Sequence, residues 1–264
     1  MLGAIIGDVV GSRFEFNNYL KKDFNFYDKA CHYTDDTVMT VAIADAVMKC
    51  GGDYSNLSNR AIESMRSIGQ HYPRCGYGGM FWKWMYSINP KPYNSFGNGS
   101  AMRVSACGDV AKDIEEAKDL ERKVTVVTHN HPEGIKGAEC IAALIFLARL
   151  GVSKEKMREY VENFYYPLNF TIDGIRDTYI HNETCQDSVP QAIEAFLEAE
   201  NFEDTIRIAV SLGGDSDTIA AIAGSIAEHY YSIPDKLKEG LYKYGRLDDR
   251  LLDVILKFER RERR

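Results

Sequence analysis

Two short acidic clusters carry most of the chemistry that can be read from this chain. One is Thr34-Asp35-Asp36-Thr37, the other Gly213-Gly214-Asp215-Ser216-Asp217-Thr218. Each sets a pair of carboxylates and a threonine hydroxyl just before an apolar, helix-like run. The plainest reading is helix capping, which suits Thr and Asp. A cap needs only one side-chain acceptor, however, and neighbouring anions repel unless a positive charge sits between them. Gly213-Gly214 also lets the backbone turn tightly into its acid pair, as a loop wrapping an ion would. The donors are all hard oxygens, which suits Mg²⁺, Mn²⁺ or Ca²⁺ and disfavours zinc. The clusters lie about 180 residues apart, so they act together only if the fold brings two helix starts face to face. Four carboxylates so placed can hold two divalent ions ~3.5–4 Å apart, position a water and bind the hydroxyls of a sugar or the oxygens of a phosphate.

Three further polar segments add to this. Gly7-Asp8-Val9-Val10-Gly11-Ser12-Arg13-Phe14-Glu15 follows a short apolar stretch. Its two glycines, four apart, permit close helix contact. Glu15 is either an exposed loop acid or, if held beside an activated water, a general acid or base. Phe96-Gly97-Asn98-Gly99-Ser100-Ala101-Met102-Arg103 reads as a glycine-rich loop entering a helix, where free backbone N–H groups suit a phosphate. It matches neither a P-loop nor a dinucleotide fingerprint. His129 and His131 flank Asn130 ahead of Pro132-Glu133, which begin the next helix; this spacing is no zinc pattern, and a capping role fits.

Helical periodicity dominates the elements that must position these groups. Val38, Val41, Ala42 and Val47 fall close to one face, with Gly51-Gly52 as a stop. Residues 133–150 read as a largely buried helix, and 218–231 as one rich in small residues. Ser188-Val189-Pro190-Gln191 resembles a capping box, predicting a helix over 192–200. Leu251, Val254, Ile255 and Phe258 form one apolar face. The β-branched run 123–128 has no partner run and reads as helix or helix end. The whole reads as one all-α domain.

Composition excludes several classes. The chain has 264 residues, 45% of them hydrophobic and 27% charged, which is ordinary for a chain that folds around its own core. With 32 Lys and Arg against 39 Asp and Glu, the net charge is −7, so a broad nucleic-acid-gripping surface is not expected. The basic tail 257–264 is a local exception and reads as the last turn of a helix. No apolar run approaches the ~20 residues that span a bilayer, and Asp8 interrupts the N-terminal apolar stretch, unlike a signal peptide. The six cysteines are spread without any CxxC pair, which points to free thiols and a cytoplasmic setting.

Taken in order, Gly7-Asp8 with Gly11 and Glu15, the Thr34–Thr37 cluster, Gly97–Arg103, Thr128-His129 and the Gly213–Thr218 cluster resemble the ADP-ribosylglycohydrolase family, of the dinitrogenase-reductase-activating glycohydrolase type. The resemblance spans residues 3 to about 231. It implies an all-α, single compact orthogonal helical domain with a central cleft holding two divalent cations, Mg²⁺ or Mn²⁺. By motif matching, Thr34, Asp35 and Asp36 serve one side of the metal site and Asp215, Asp217 and Thr218 the other. Glu15, Asp36 and Asp215 carry catalysis. Phe96, Gly97, Asn98, Gly99, Ser100, Met102 and His129 line the substrate pocket, with the amides of 97–101 on the pyrophosphate and Phe96 or Tyr77 stacked on a base or ribose. The implied reaction is hydrolysis at C1 of the distal ribose, releasing ADP-ribose from a modified protein or small-molecule acceptor through an oxocarbenium-like centre. Two rivals stay open: a catalytically silent ADP-ribose-binding member of the fold, and a two-metal hydrolase of another phosphate ester.

Overall fold

The N-terminal helix has no face turned to water. In the computed structural model, which describes residues 1–262, α1 (Leu2–Gly11) is buried along its whole length and so lacks the polar stripe of a surface helix. Arg263 and Arg264 of the basic tail lie outside the described residues. After α1 the chain runs through α2 (Asp35–Lys49), α3 (Leu57–Gly69), α4 (Gly79–Tyr86), α5 (Ser105–Val110), α6 (Ile114–Thr125), α7 (Pro132–Arg149) and α8 (Lys154–Phe164). It continues through α9 (Ile172–Ile175), α10 (Cys185–Glu198), α11 (Phe202–Ser211), α12 (Ser216–Tyr230), α13 (Asp235–Tyr244) and α14 (Asp249–Glu262). Among the described residues no strand forms, only an isolated bridge between Gly97 and Thr184. The all-α class expected from the sequence is the one observed.

The pairing of α1 with α12 sets the geometry of the centre. Gly3, Gly7 and Gly11 recur every four residues, and a Cβ at any of them would collide with α12 at Gly224, Ala220 or Asp217. The close approach permitted by Gly7 and Gly11 is therefore realised, with Gly3 extending it. It lays the N-terminus of α12 against the C-terminal turn of α1. On its other side α2 buries Val38, Met39, Val41, Ala42 and Val47, and α14 packs over α2. Leu251, Ile255 and Phe258 are fully buried on α14, each contributing roughly 1.5–3 kcal/mol of apolar burial.

Three local readings are corrected. The segment Gly7–Gly11 does not follow the first helix but completes it. Helix α10 starts at Cys185 and carries Pro190 inside it, where the proline forgoes one backbone bond, so Ser188 opens no helix. Its hydroxyl donates to the Asn182 carbonyl at 3.1 Å. The glycine-rich loop is a 3-10 turn, Asn98–Arg103. By contrast the run 123–128 does contain the end of α6, and His131 does cap α7, its Nδ1 accepting from Glu133 N at 3.1 Å.

A buried ionic cluster lies at the end of α12 away from the acid pairs. The Met1 α-amino group lies 3.2 Å from Asp109 and also pairs with Glu228, while His229 Nε2 lies 2.5 Å from Asp109. Burial alone would raise the Asp109 carboxyl, but the ammonium and His229 outweigh it and hold it at about 2. Burial alone would lower the His229 imidazole, but Asp109 outweighs it and raises it. The Asp109 contribution to stability is thus complete above its unfolded value and lost as pH falls towards 2. The His229 contribution is complete below about 6.5 and fades as pH rises through the elevated folded value. His229→Gln is expected to cost roughly 2 kcal/mol at pH 6 and distinctly less at pH 9. Urea unfolding at the two pH values checks this; an equal cost at both would refute it.

Candidate active site

The starts of α2 and α12 meet. Thr218 Oγ1 donates to Asp36 Oδ2 at 3.1 Å, joining residues 182 apart in the chain. Asp8, projecting from α1, anchors the α2 side. Its carboxylate accepts from Thr34 N at 3.0 Å, the Thr34 hydroxyl at 2.8 Å and Thr37 N at 3.0 Å, and also from the Thr37 hydroxyl. Thr34 itself caps the helix, its Oγ1 accepting from Asp36 N at 3.3 Å. The carboxylates of Asp35 and Asp36 are therefore not needed for that end.

On α12 the capping position belongs to Asp215, yet its side chain makes no capping bond. Its Oδ2 accepts instead from Asn98 Nδ2 at 2.5 Å. Gly213 and Gly214 adopt left-handed backbone, φ +79° and +68°, a conformation that glycine reaches without penalty. Glu15 joins from the segment after α1: one oxygen each from Glu15, Asp215 and Asp217 lies within 4.8 Å of the others. Ordinary capping thus accounts for neither acid pair.

Electrostatics bear this out. Burial, and then Asp8, Asp35 and Asp215, push the Asp36 carboxyl well above the usual range. Burial followed by Asp8 and Asp215 does the same to Asp35, and burial followed by Asp215 and Asp36 to Asp217. Burial also raises Asp8 against its four hydrogen bonds. Half-buried Glu15 is pushed up to about 7 by burial and then by Asp215. Among the described residues Asp36 Oδ1 is buried without a hydrogen-bond partner, an arrangement costly in the absence of a compensating group. An all-oxygen donor set with one orphaned carboxylate oxygen fits hard divalent cations.

These groups line the floor of a cleft of about 840 Å³, within the range of small-molecule sites. Phe96, Gly97, Asn98, Gly99, Met102 and His129, all anticipated from the sequence, line the cleft; Glu183 and Thr184 lie alongside Gly97 and Asn98, and Asn182, Arg74, Met80 and Lys83 also line it. Phe96 is 44% exposed and lies against His131, ring centroids 5.2 Å apart. Asn98 lines the cleft but uses its amide donors on Ser188 at 3.0 Å and on Asp215, so it supports the acidic floor.

Two expected contacts are absent. Ser100 is fully buried, and its hydroxyl donates to the Gly134 carbonyl at 2.8 Å; it buttresses the turn from behind. Tyr77 is turned inward against Phe81, centroids 5.6 Å apart, with its hydroxyl donating to Gly69 O at 3.4 Å. The amide cradle is also narrower than expected. Gly97 N–H is taken by Ser95 Oγ at 3.2 Å and Asn98 N–H by the Glu183 carbonyl at 2.8 Å. Asp8, Arg103 and the segment 182–184 carried no assigned role in the sequence. Only Asp8 left a signal, as a lone acid inside an otherwise apolar helix.

A family model described as ADP-ribosylglycohydrolase matches residues 1–264. The chain is 26% identical over 266 residues to the ADP-ribosylarginine hydrolase Tri1 of Pseudomonas putida (strain GB-1), spanning 88% of this chain and 70% of that protein. It is 24% identical over 328 residues to the ADP-ribosylhydrolase ARH3 of Homo sapiens, spanning 94% and 89%. A solved ADP-ribosylglycohydrolase-related protein complex superposes with a TM-score of 0.72 at 22% identity, covering 98% of this chain and 95% of that one, which speaks for the fold. With the match running the full length of the chain, and with acid pairs from both ends of the sequence meeting over one cleft, the chain belongs to the ADP-ribosylglycohydrolase family.

Proposed function

We propose that this protein is a hydrolase that removes ADP-ribose from a modified protein side chain or small molecule. Two divalent cations, Mg²⁺ or Mn²⁺, would be held by Thr34, Asp35 and Asp36 on one side and Asp215, Asp217 and Thr218 on the other. When bound, they would orient the hydroxyls of the distal ribose and lower the pKa of a water. The observation that carries this reading is the bond from Thr218 to Asp36, with Asp36 Oδ1 left partnerless beside it.

The chain's own groups supply the rest. Asp36, Asp215 and Glu15 present negative charge to a reacting carbon that becomes oxocarbenium-like as the acceptor departs. Water adds its hydroxyl to C1, and its proton passes to the departing atom of the acceptor. Glu15, beside Asp215 and Asp217 in the cleft, is placed to carry that proton. Phe96 offers an exposed ring at the rim for a base, and the His129 wall accommodates the pyrophosphate. The name of the Pseudomonas putida relative points to arginine-linked ADP-ribose as one acceptor to test first.

A product assay on a panel of ADP-ribosylated acceptors tests the proposal. EDTA is expected to abolish turnover, and Mg²⁺ or Mn²⁺ to restore it. Undiminished turnover in metal-free protein would refute the cation assignment. Tight ADP-ribose binding with no product from any acceptor would instead mark a silent binding protein, and release of product only from phosphodiester substrates would mark a different hydrolase.

A further inference from the structure

Arg103 is a buried guanidinium with no carboxylate among its hydrogen bonds; buried Glu121 acts on it only through space, and the Phe81 ring centroid lies 5.9 Å from it. Arg103 is 1% exposed and lines the cleft; its Nη2 donates to Thr128 Oγ1 at 2.7 Å and to the Val124 carbonyl at 3.4 Å. Its Nε has no partner among the described residues. A buried guanidinium with an unfilled donor is expensive, so its retention at a ligand cleft calls for a reason. The next link is close by: Thr128 Oγ1 lies 2.8 Å from His129 Nδ1.

We propose that Arg103 is a positioning residue for phosphate recognition: through Thr128 it holds His129 as the neutral imidazole protonated on Nε2, with that N–H directed into the cleft at Gly97 and Gly99. The inference rests on the reading that the cleft takes ADP-ribose. Three observations argue for this tautomer. First, Thr128 Oγ1 accepts from Arg103, and its own hydrogen has two candidate acceptors, His129 Nδ1 at 2.8 Å and the Thr125 carbonyl at 3.3 Å. That carbonyl already accepts from Thr128 N at 3.1 Å and His129 N at 2.9 Å, so the shorter bond to Nδ1 is favoured. Second, an Nδ1–H would aim its positive end towards the guanidinium side, whereas an Nδ1 lone pair is stabilised there. Third, the imidazole is kept neutral: burial and then Arg103 hold His129 well below its ordinary value.

The other ring nitrogen is then a donor awaiting an acceptor. A Cβ built on Gly97 or Gly99 would stand 3.7 or 3.6 Å from His129 Nε2. Gly97 has φ −65°, which any residue adopts, and a methyl at either position would sit in ordinary van der Waals contact with Nε2 and cover it. The two glycines leave Nε2 uncovered on the cleft side. A neutral donor backed by a dry positive charge suits a phosphate oxygen.

Long-range ¹H–¹⁵N spectra of histidine-labelled, ligand-free protein read the tautomer directly. Wild type is expected to show His129 protonated on Nε2. Arg103→Lys, which keeps the charge, should preserve that signature, and Arg103→Met should lose it. Should Arg103→Met fail to fold, Thr128→Val cuts the relay while leaving the guanidinium in place and is expected to lose the signature too. Both disruptive variants should bind ADP-ribose about tenfold more weakly or worse. An Nδ1–H wild type, variants that keep the Nε2–H form, or variants that bind ADP-ribose as tightly as wild type would each overturn the proposal. Wild type that neither binds ADP-ribose nor releases it from any modified acceptor would sink the functional reading instead, and the ligand-free spectra would tell the two failures apart.

Discussion

Asp36→Asn is expected to lower turnover at least ~100-fold while raising the melting temperature of the metal-free protein. The loss of activity follows from the position of Asp36 at the junction of the two acid pairs, where even residues behind a metal ligand commonly cost 10–100-fold when changed. The gain in stability follows from repulsion. Asp36 is buried beside Asp8, Asp35 and Asp215, and its carboxyl is pushed far above the usual range. An amide of the same shape removes the charge while keeping an acceptor for Thr218. Relief of ~1 kcal/mol would raise the melting temperature by about 2–4 °C in a chain of this size. Added Mn²⁺ should reverse the order, since a ligand that binds only the folded form stabilises wild type by mass action and the variant far less. Thermal melts in EDTA and in Mn²⁺, run beside a turnover assay, check both halves. A variant that melts below wild type in EDTA, or that keeps its turnover, would show that Asp36 is not a strained anion waiting for a cation.

Gly7→Ala should destabilise the fold by more than ~4 kcal/mol, beyond the ordinary range for one substitution. The added methyl has no side chain to push aside: it would overlap the Ala220 carbonyl and the Ala221 amide of α12. Overpacking against backbone moves whole helices, and here it would part the helix carrying Asp8 from the one carrying Asp217, so turnover should fall with stability. Gly79→Ala is the control. A Cβ there meets nothing within 4 Å, and no left-handed backbone is required of it, so the change should be neutral or stabilising by about 0.4–1 kcal/mol. Urea unfolding of the two variants in chelator measures the contrast. A Gly7→Ala protein within 1 kcal/mol of wild type would mean that α1 and α12 do not cross at backbone contact.

Much of the centre was legible because its chemistry is local. A pair of adjacent acids before an apolar run announces more charge than a helix end needs, and Gly213-Gly214 announces the left-handed turn that presents Asp215. The alternation of Leu251, Val254, Ile255 and Phe258 marked the buried side of α14 for the same reason: the helical repeat is a property of neighbouring residues. The capping-box pattern Ser188–Gln191 misled because a hydroxyl followed three residues on by a glutamine marks a helix start locally, while the packed faces of α10 hold a helix that already began at Cys185. Ser100, which the family resemblance puts in the pocket, lies behind the turn instead, because its hydroxyl is held by the Gly134 carbonyl.

By itself the sequence determined the helical class and the all-oxygen side chains of the two acidic clusters, since these depend on residue type and short-range spacing. Only the tertiary structure decided that Asp8 holds the start of α2, that Thr218 reaches Asp36, and that Arg103 reaches His129 through Thr128. Each of those depends on which distant backbones cross and how closely, a matter settled by packing among many residues at once, which no single stretch of chain records.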